Sequence, residues 1–197
     1  MKKVNNKGFT LIELLAVIVI LAILIMVAMP AVTSLMERAK VGAFVTEGES
    51  FAKAAQTAYT SSLIAGKNNV GKNNVGKTIT GLTVSGSSYT YFCMTIPELI
   101  SGGFIEKANA SDYTGIVEAY IPTSTNTSTA KYIVSMTNKE YVINGVSLTN
   151  LGGNKYLTTG AGGVYGGSTV TNSACSTTVN DAQTRATNYN TNNGNFS

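Results

Sequence analysis

Few side chains in this sequence are suited to catalysis. The 197 residues include no histidine or tryptophan, two cysteines and only 12% charged residues. Because imidazole supplies much of the acid/base and metal chemistry of proteins near neutral pH, its absence disfavours an enzyme. The acids beyond the first third of the sequence show no triad, carboxylate pair or metal-ligand spacing, and they include Glu98, Glu106, Asp112, Glu118 and Asp181. Asp181 is the only acid after Glu140, which argues against an acidic calcium-binding loop, so we predict no catalytic residue, cofactor or metal site.

One segment fits a nucleotide-binding pattern. Residues 71–78, GKNNVGKT, match the P-loop, in which backbone amides surround the phosphates, Lys77 would contact them and Thr78 would bind magnesium. The match arises from a tandem copy of KNNVG at 67–71 and 72–76, and TITGLTVSGSS follows where a helix should begin. We therefore reject nucleotide binding here and expect a flexible polar loop between a helix and a sheet.

One carboxylate stands beside a long apolar run. From Leu14 to Met29 sixteen consecutive residues are apolar, and Glu13 directly precedes them. About 20 apolar residues in a helix span a bilayer, and a charge near the bilayer centre costs about 3 kcal/mol. Three lysines and no acid occupy the first eight residues, and without them the formal charge falls from +4 to +1. These lysines place the start of the run in the cytoplasm and the rest of the chain outside, and they leave little charge for a nucleic-acid surface.

The residues around this carboxylate carry a family resemblance. The stretch KGFTLIELL at 7–15, followed by an apolar run that ends at Pro30, resembles the N-terminus of a type IV prepilin. The resemblance covers about the first 40 residues. It implies cleavage between Gly8 and Phe9 by a membrane prepilin peptidase, methylation of the new Phe9 amine and extraction of the helix into a filament.

In that setting Glu13 acquires a physical role. Cleavage after Gly8 creates a positive amine at Phe9, and the carboxylate four residues on would lie near it or near the equivalent amine of a neighbouring helix. Removing one partner of such a buried pair costs about 3 to 5 kcal/mol, so the pair can fix the axial register of packed helices. The alternative is a plain membrane anchor, in which an acid is tolerated near the helix N-terminus because the helix dipole favours it.

The helical pattern extends well beyond the apolar run. Apolar and small residues recur at steps of three and four, as on one face of a helix, at Val41, Phe44, Val45, Gly48, Phe51, Ala52, Ala55, Tyr59 and Leu63. We predict a helix from Phe9 to about Ala65, with Gly66 as its C-terminal stop. Pro30 lacks the amide hydrogen that would bond to the Met26 carbonyl, so we expect a kink or local melting there. Phe9, Glu13 and Pro30 are thus the predicted assembly residues.

The rest of the sequence reads as a sheet domain. Strand patterns cover 88–96, 114–122, 131–137 and 140–146, the last two joined at Asn138-Lys139, and 97–107 reads as a helical turn ended by glycines. Neighbours of this kind favour an antiparallel meander. The predicted fold class is α+β, with a long helix packed on an antiparallel sheet, which agrees with the pilin fold that the resemblance implies. The segments are a leader at 1–8, a membrane and filament-core helix at 9–35, an amphipathic half at 36–66 and a globular domain at 67–197.

The C-terminal 46 residues are nearly all glycine, threonine, asparagine and serine. Such a composition offers little apolar area to offset the entropy of ordering. Cys93 and Cys175 could tether this region, because a disulfide is permitted outside the cytoplasm. Closing an 82-residue separation would stabilise the fold by about 4.5 kcal/mol in the chain-entropy model. We favour this disulfide over the alternative of two separate thiols.

The leading interpretation is a structural subunit of a type IV pilus that polymerises into an extracellular filament for attachment, twitching motility or DNA uptake. Within the superfamily the alternative is a minor pilin or a pseudopilin of a type II secretion or competence apparatus. A further interpretation, from another class of protein, is a monomeric, membrane-anchored surface binding protein that uses the Tyr- and Thr-rich tail. The expected partners are other copies of the chain, the cytoplasmic membrane, prepilin peptidase and the pilus assembly machinery. A surface or DNA ligand stays open, since no residue of the sequence shows one. The precursor is expected in the cytoplasmic membrane with its globular domain outside, and the processed chain in a cell-surface filament.

Overall fold

The computed structural model describes residues 10–64, 76–106, 110–123, 129–151, 164–166, 170 and 172–193. The chain divides into two compact units, Met1–Lys40 and Val41–Ser197. The longest element is helix α1, Leu11–Ile64, which agrees with the predicted helix over the described residues. Its predicted end residues, Phe9, Ala65 and Gly66, lie outside them.

The helix runs through Pro30 without interruption. Three residues later the Thr33 hydroxyl donates to the carbonyls of Met29 (3.2 Å) and Pro30 (3.0 Å), and the Ser34 hydroxyl donates to Ala31 (3.0 Å). Such back-bonding satisfies hydroxyl groups within an apolar helix. The structure therefore contains no melted turn at Pro30, and the role of this proline in assembly stays a prediction.

The described strands form one antiparallel sheet in which each strand pairs with the next along the chain. The strands are β1 (Lys77–Val84), β2 (Ser87–Thr95), β3 (Thr114–Pro122), β4 (Lys131–Thr137), β5 (Tyr141–Ser147) and β6 (Val164–Gly166). The predicted α+β class and the meander are confirmed. The predicted strands at 114–122 and 131–137 match β3 and β4, and the other two differ from β2 and β5 by one residue at each end.

Strand β1 corrects the prediction of a loop over the whole P-loop-like segment. Lys77 and Thr78, the two residues that the nucleotide motif would use, begin this strand rather than a helix, and the preceding residues 71–75 lie outside the described residues. The β-branched residues that favour a strand are divided by Gly81, which has a positive φ of 84°. The register shifts between Ile79 and Leu82, so the bulge at this glycine breaks the alternation that would have identified the strand.

Four further elements connect or cover the sheet: α2 (Ile96–Ser101), a 3₁₀ turn (Ala110–Asp112), α3 (Leu148–Leu151) and α4 (Val179–Asn193). Helix α2 begins at a capping box, in which the Thr95 hydroxyl accepts from the Glu98 amide and the Glu98 carboxylate accepts from the Thr95 amide. It ends at Gly102, as the glycines after it predict. Helix α4 was not expected from the composition of the C-terminal region.

One face of the sheet packs against residues 41–64 of α1. Alternate strand residues point to this face, where Phe92 on β2 stacks with Tyr59 at 5.2 Å between ring centroids and Tyr141 on β5 lies 5.9 Å from Phe44. The buried helix residues follow the predicted stripe at Phe44, Gly48, Phe51, Ala52 and Ala55.

Close packing and helical spacing explain two positions on this stripe, Gly48 and Leu63. A Cβ on Gly48 would lie 2.9 Å from Cδ1 of Ile143, so the glycine lets α1 approach β5 closely. Leu63, predicted on the stripe, is instead 64% exposed, while Ala58 and Ser62 are buried. The buried positions continue from Ala55 in steps of three and four, and the helical face therefore ends on Ser62.

The opposite face of the sheet is covered by α4. Its Ala182, Ala186 and Tyr189 are buried in one cluster with sheet residues that include Tyr91 and Tyr120. The Tyr120 hydroxyl donates to the Ala182 carbonyl at 3.3 Å. The central strand β3 is accordingly buried on both faces, which brings its one acid into the protein interior.

Candidate functional site

The N-terminal unit presents an apolar surface in every direction. Of the twenty large hydrophobic side chains that are exposed in the described residues, eighteen lie between Leu11 and Met36, with exposures from 47% to 81%. Among those residues one helix is long and apolar enough to cross a membrane, and its most apolar window has a mean hydropathy of 3.2. A helix that is apolar all round is stable when lipid or other helices surround it. This surface therefore suits a membrane-anchored precursor or a packed bundle of helices.

Glu13 is the one charged residue between positions 8 and 36, and the structure gives it a local partner. Its Oε2 accepts hydrogen bonds from the Thr10 amide (2.9 Å) and the Thr10 hydroxyl (2.7 Å), and the Thr10 Oγ1 accepts from the Glu13 amide (3.4 Å). Thr10 and Glu13 are thus the N-cap and N3 residues of a capping box, which satisfies amides that have no partner within the helix.

The capping box adds a second explanation for an acid at this position. A glutamine at N3 can serve in a capping box as well as a glutamate, whereas pairing with a charged amine requires the carboxylate. Gly8 and Phe9, the predicted processing residues, lie outside the described residues. The pairing of Glu13 with the Phe9 amine therefore stays a prediction, and the two roles are separable by substitution.

A second polar constellation lies in the globular unit, centred on Glu118 of β3. This side chain has no solvent exposure, and three donors reach its carboxylate. The Tyr91 hydroxyl donates to Oε1 at 2.9 Å, the Tyr189 hydroxyl donates to Oε2 at 2.5 Å, and Arg185 Nη1 donates to Oε1 at 3.3 Å. A buried carboxylate requires such compensation, because an unpaired charge in the interior is strongly destabilising.

Arg185 holds three parts of the chain together. Its Nε and Nη2 donate to the two carboxylate oxygens of Asp181 one helical turn earlier, at 3.2 Å and 3.1 Å. Its Nη1 also donates to the Ala174 carbonyl at 2.9 Å. The planar guanidinium group suits this fork-like arrangement, which a lysine could not reproduce.

The ionisation of this cluster follows from burial and neighbouring charge. Burial raises the pKa of Glu118 above its usual value, although hydrogen bonds from Tyr189 and Tyr91 and the charge of Arg185 each act to lower it. Burial and the Glu118 carboxylate also raise the pKa of Tyr91 and of Tyr189. Partial burial acts to lower the pKa of Arg185, but the charges of Glu118 and Asp181 raise it overall. Both phenols and the guanidinium are therefore fixed as hydrogen-bond donors.

The two cysteines form a disulfide beside this cluster. Cys93 and Cys175 are bonded across 82 residues, with their Cα atoms 5.7 Å apart. Cys93 of β2 is directly opposite Glu118 of β3 in the sheet register. The next residue, Ser176, donates its amide hydrogen to the Tyr91 hydroxyl at 2.9 Å. The disulfide and the carboxylate thus belong to one connected structure.

The sequence pattern predicts no triad, carboxylate pair or metal-ligand spacing among the acids, and it gives no indication that Glu118 and Asp181 share a partner. Their shared partner, Arg185, is 67 residues from Glu118, so no local spacing could indicate the contact. A local signal did exist for the helix that carries Arg185, since Ala182, Ala186 and Tyr189 fall on one helical face. The arrangement is enclosed and fully hydrogen-bonded on the carboxylate, and it joins segments of the chain rather than offering a reactive group.

Within the described residues no three histidine, cysteine, aspartate or glutamate side chains come together as a metal site. Comparison with known proteins gave one finding. A family model described as the prokaryotic N-terminal methylation motif matches residues 3–29. No curated protein sequence and no solved structure gives a significant match. The similarity to known proteins therefore rests on the N-terminal segment, which contains Gly8, Phe9 and Glu13.

Proposed function

We propose that this chain, which carries the N-terminal signature of the type IV pilin and pseudopilin superfamily, is a structural subunit of a type IV pilus. Prepilin peptidase cleaves between Gly8 and Phe9, the Phe9 amine is methylated, and the assembly machinery moves the helix from the cytoplasmic membrane into a filament. In the filament the globular unit faces outward at the cell surface. The family is of a structural type, and the chain acts through self-association rather than catalysis.

The observation that supports this proposal most is the contrast between an apolar helix and its single acid. Eighteen large apolar side chains between Leu11 and Met36 are exposed in the described chain. Relative to water, each fully buried aliphatic side chain contributes about 1.5 to 3 kcal/mol, so helices that leave the lipid keep this surface covered by packing together, and van der Waals force holds them in contact. That force is nondirectional along the helix axis, and a charge pair between Glu13 and the Phe9 amine would select one axial register.

The same N-terminal motif occurs in subunits with different roles. A minor pilin or a pseudopilin of a type II secretion or competence apparatus would share the processing site, the apolar helix and Glu13. The abundance of this chain and the length of the fibres that contain it distinguish these roles. Long surface fibres composed mainly of this chain indicate the major subunit. Attachment, twitching motility and DNA uptake are the activities that such a filament would serve.

The capping box supports a second candidate, a monomeric membrane-anchored surface protein. In that case Glu13 serves only to satisfy amides at the start of α1 through Thr10, and the apolar surface contacts lipid permanently. Such a chain would remain with the cell membrane when surface structures are sheared off.

Mass spectrometry of the chain recovered from a sheared surface fraction tests the proposal. The expected product begins at Phe9, carries one added methyl group on its amine, and is abundant in that fraction. A chain that begins at Met1, or that stays entirely in the membrane fraction, would contradict it. An unmethylated chain that begins at Phe9 would still establish prepilin processing, and it would restrict the correction to the methylation step.

A further inference from the structure

The C-terminal helix covers the sheet with little apolar area of its own. Of the α4 side chains whose burial the structure describes, at residues 179–189, three are buried, and two of these are alanines, Ala182 and Ala186. Beneath them lie large side chains with no exposure, namely Leu82, Tyr91, Ile116, Tyr120 and Ile133. Two alanines and one tyrosine contribute little apolar surface of their own, so the hydrophobic gain of docking comes mostly from covering these sheet side chains. Such nondirectional contact does not fix the position of a helix rich in asparagine and threonine.

Polar contacts supply the attachment that the apolar area lacks. Within the described residues, the C-terminal segment 172–193 reaches the Glu118 carboxylate directly through Arg185 and Tyr189. It reaches the same carboxylate indirectly through the Ser176 amide, which donates to the Tyr91 hydroxyl, which in turn donates to Glu118. Three points of one segment thus converge on a single side chain of β3.

The disulfide positions the indirect contact. Cys175 precedes Ser176 and is bonded to Cys93, the residue opposite Glu118 on the neighbouring strand. Ala174, whose carbonyl accepts from Arg185, lies on the other side of Cys175. Breaking the disulfide would therefore release two of the backbone groups that hold Tyr91 and Arg185 in place.

We propose that the Cys93–Cys175 disulfide and the Glu118 carboxylate form a coupled lock that holds α4 over the sheet, and that reduction of the disulfide opens this cover. In the opening step a dithiol reductant transfers two electrons to the bond, which becomes two thiols while the reductant forms its own disulfide. The segment 172–193 then separates from the sheet. The apolar face of β2, β3 and β4 becomes accessible while the face packed against α1 stays covered.

Amide hydrogen exchange on the full processed chain in detergent, with and without dithiothreitol, tests this lock. Reduction of the unmodified chain should accelerate exchange in residues 179–193 by at least about 100-fold, as expected for losing a buried polar attachment. Exchange in β4, at residues 131–137, should change little. Tyr120, which is fully buried under α4, should react with a nitrating reagent only in a chain whose two cysteines have been reduced and then capped with iodoacetamide, with the reductant removed because such reagents oxidise thiols.

A Glu118→Gln variant measures the coupling. If the disulfide and the carboxylate act as one lock, Glu118→Gln alone accelerates exchange in α4, and reduction of this variant adds no further acceleration of comparable size. Glu49→Gln removes a carboxylate from a partly exposed ion pair with Lys53 and should leave exchange in α4 unchanged.

Three results would overturn the proposal. Unchanged exchange in α4 after reduction would show that the disulfide does not hold the helix. Equal acceleration in α4 and β4 would show that the whole unit opens, so that no separate cover exists. Multiplying effects of reduction and Glu118→Gln would show two independent attachments rather than a coupled lock.

Discussion

Glu13 in the N-terminal unit and Glu118 in the globular unit have contrasting surroundings. In the N-terminal unit Glu13 is exposed, and its carboxylate accepts hydrogen bonds from Thr10, three residues away. In the globular unit Glu118 is fully buried and bound by Tyr91, Tyr189 and Arg185 from distant parts of the sequence. Within its described residues the globular unit supplies the partners of this buried acid from its own chain. The N-terminal unit has a surface that only lipid or further protein can cover.

The two carboxylates therefore differ in when they gain their partners, either as one chain folds or as several chains assemble. A buried charge within one chain gains its partners when the chain folds, so its substitution should affect stability. A charge on an apolar helix with exposed sides gains a partner only from its surroundings, so its substitution should affect assembly while leaving the globular unit intact. Substitutions in the two regions should therefore give distinct results.

The largest effect is expected at Glu13. Glu13→Gln keeps a side chain that can serve in the capping box but removes the charge, and Glu13→Val removes both. If pairing with the Phe9 amine sets the register, both variants should be processed and held in the membrane, with filaments reduced to near absence. The predicted cost of about 3 to 5 kcal/mol per subunit repeats along the filament. Electron microscopy and immunoblotting of sheared fractions measure the outcome.

Thr10→Ala provides the matched control for that experiment. It removes the hydroxyl of the capping box and should cost about 0.5 to 2 kcal/mol of helix stability, while the Glu13 charge remains. We expect filaments to form. Normal filaments from Glu13→Gln together with loss of filaments from Thr10→Ala would assign the acid to capping and would refute the register role.

The next largest effect is expected at Arg185. Arg185→Met leaves Glu118 buried without its cation and should destabilise the globular unit by about 3 to 5 kcal/mol. Filament processing at Gly8 should be unaffected. Denaturant unfolding of the purified chain, followed by tyrosine fluorescence, gives the free energy of unfolding.

The double variant Glu118→Leu/Arg185→Met tests whether the unpaired charge causes this loss of stability. It removes both charges from the same site, and apolar replacement of a buried pair is often neutral or stabilising. We expect it to be more stable than Arg185→Met alone. If it is less stable than the single variant, the hydrogen bonds from Tyr91 and Tyr189, rather than the unpaired charge, dominate the energetics of the cluster.

A smaller effect is expected at Gly145 in β5. Its φ of 63° lies in the left-handed region, and an added Cβ would lie 2.4 Å from Cε1 of Tyr189. Gly145→Ala should therefore cost about 1 to 3 kcal/mol through backbone strain and displacement of the tyrosine. Gly42→Ala is the control, because no atom lies within 4 Å of the added Cβ and the helix should gain about 1 kcal/mol. Equal effects of the two substitutions on the denaturation midpoint would contradict this account.

Different parts of the molecule also differ in how far the sequence predicts them. The N-terminal helix, its stripe and the strands β2 to β5 follow from periodicities that act over a few residues. The cluster around Glu118 does not, because its partners come together only when α4 docks on β3. Strand β1 was not predicted, because the bulge at Gly81 interrupts the alternation of residues along it.

Helix α4 shows a different reason for failure. Its composition is mostly asparagine and threonine, which have low helix propensity, so an average over the C-terminal region predicts no helix. The local features that support the helix are few: Thr178 accepts from the Asp181 amide at 3.2 Å, and Asp181 pairs with Arg185 at the next turn. Tertiary contact with the sheet then outweighs the weak intrinsic preference.

The smallest effect is the pH dependence contributed by Glu118. Burial raises its pKa in the folded chain above the usual value of 4.5, so as the pH increases the unfolded chain loses this proton before the folded chain does. The stability contributed by the protonated group is complete below 4.5 and decreases as the pH rises through the folded pKa. Tyr91 and Tyr189 keep their protons and Arg185 its charge throughout this window, because their pKa values are raised.

The difference in unfolding free energy between the unmodified chain and Glu118→Gln isolates this contribution, since the other acids titrate in both. We expect the unmodified chain to lose stability relative to the variant as the pH rises above 4.5. A gain over the same window would mean that the ion pair with Arg185 and the two phenol hydrogen bonds outweigh desolvation. Glu118 would then be a carboxylate whose charge the fold favours, as the proposed pairing with the Phe9 amine favours the charge of Glu13.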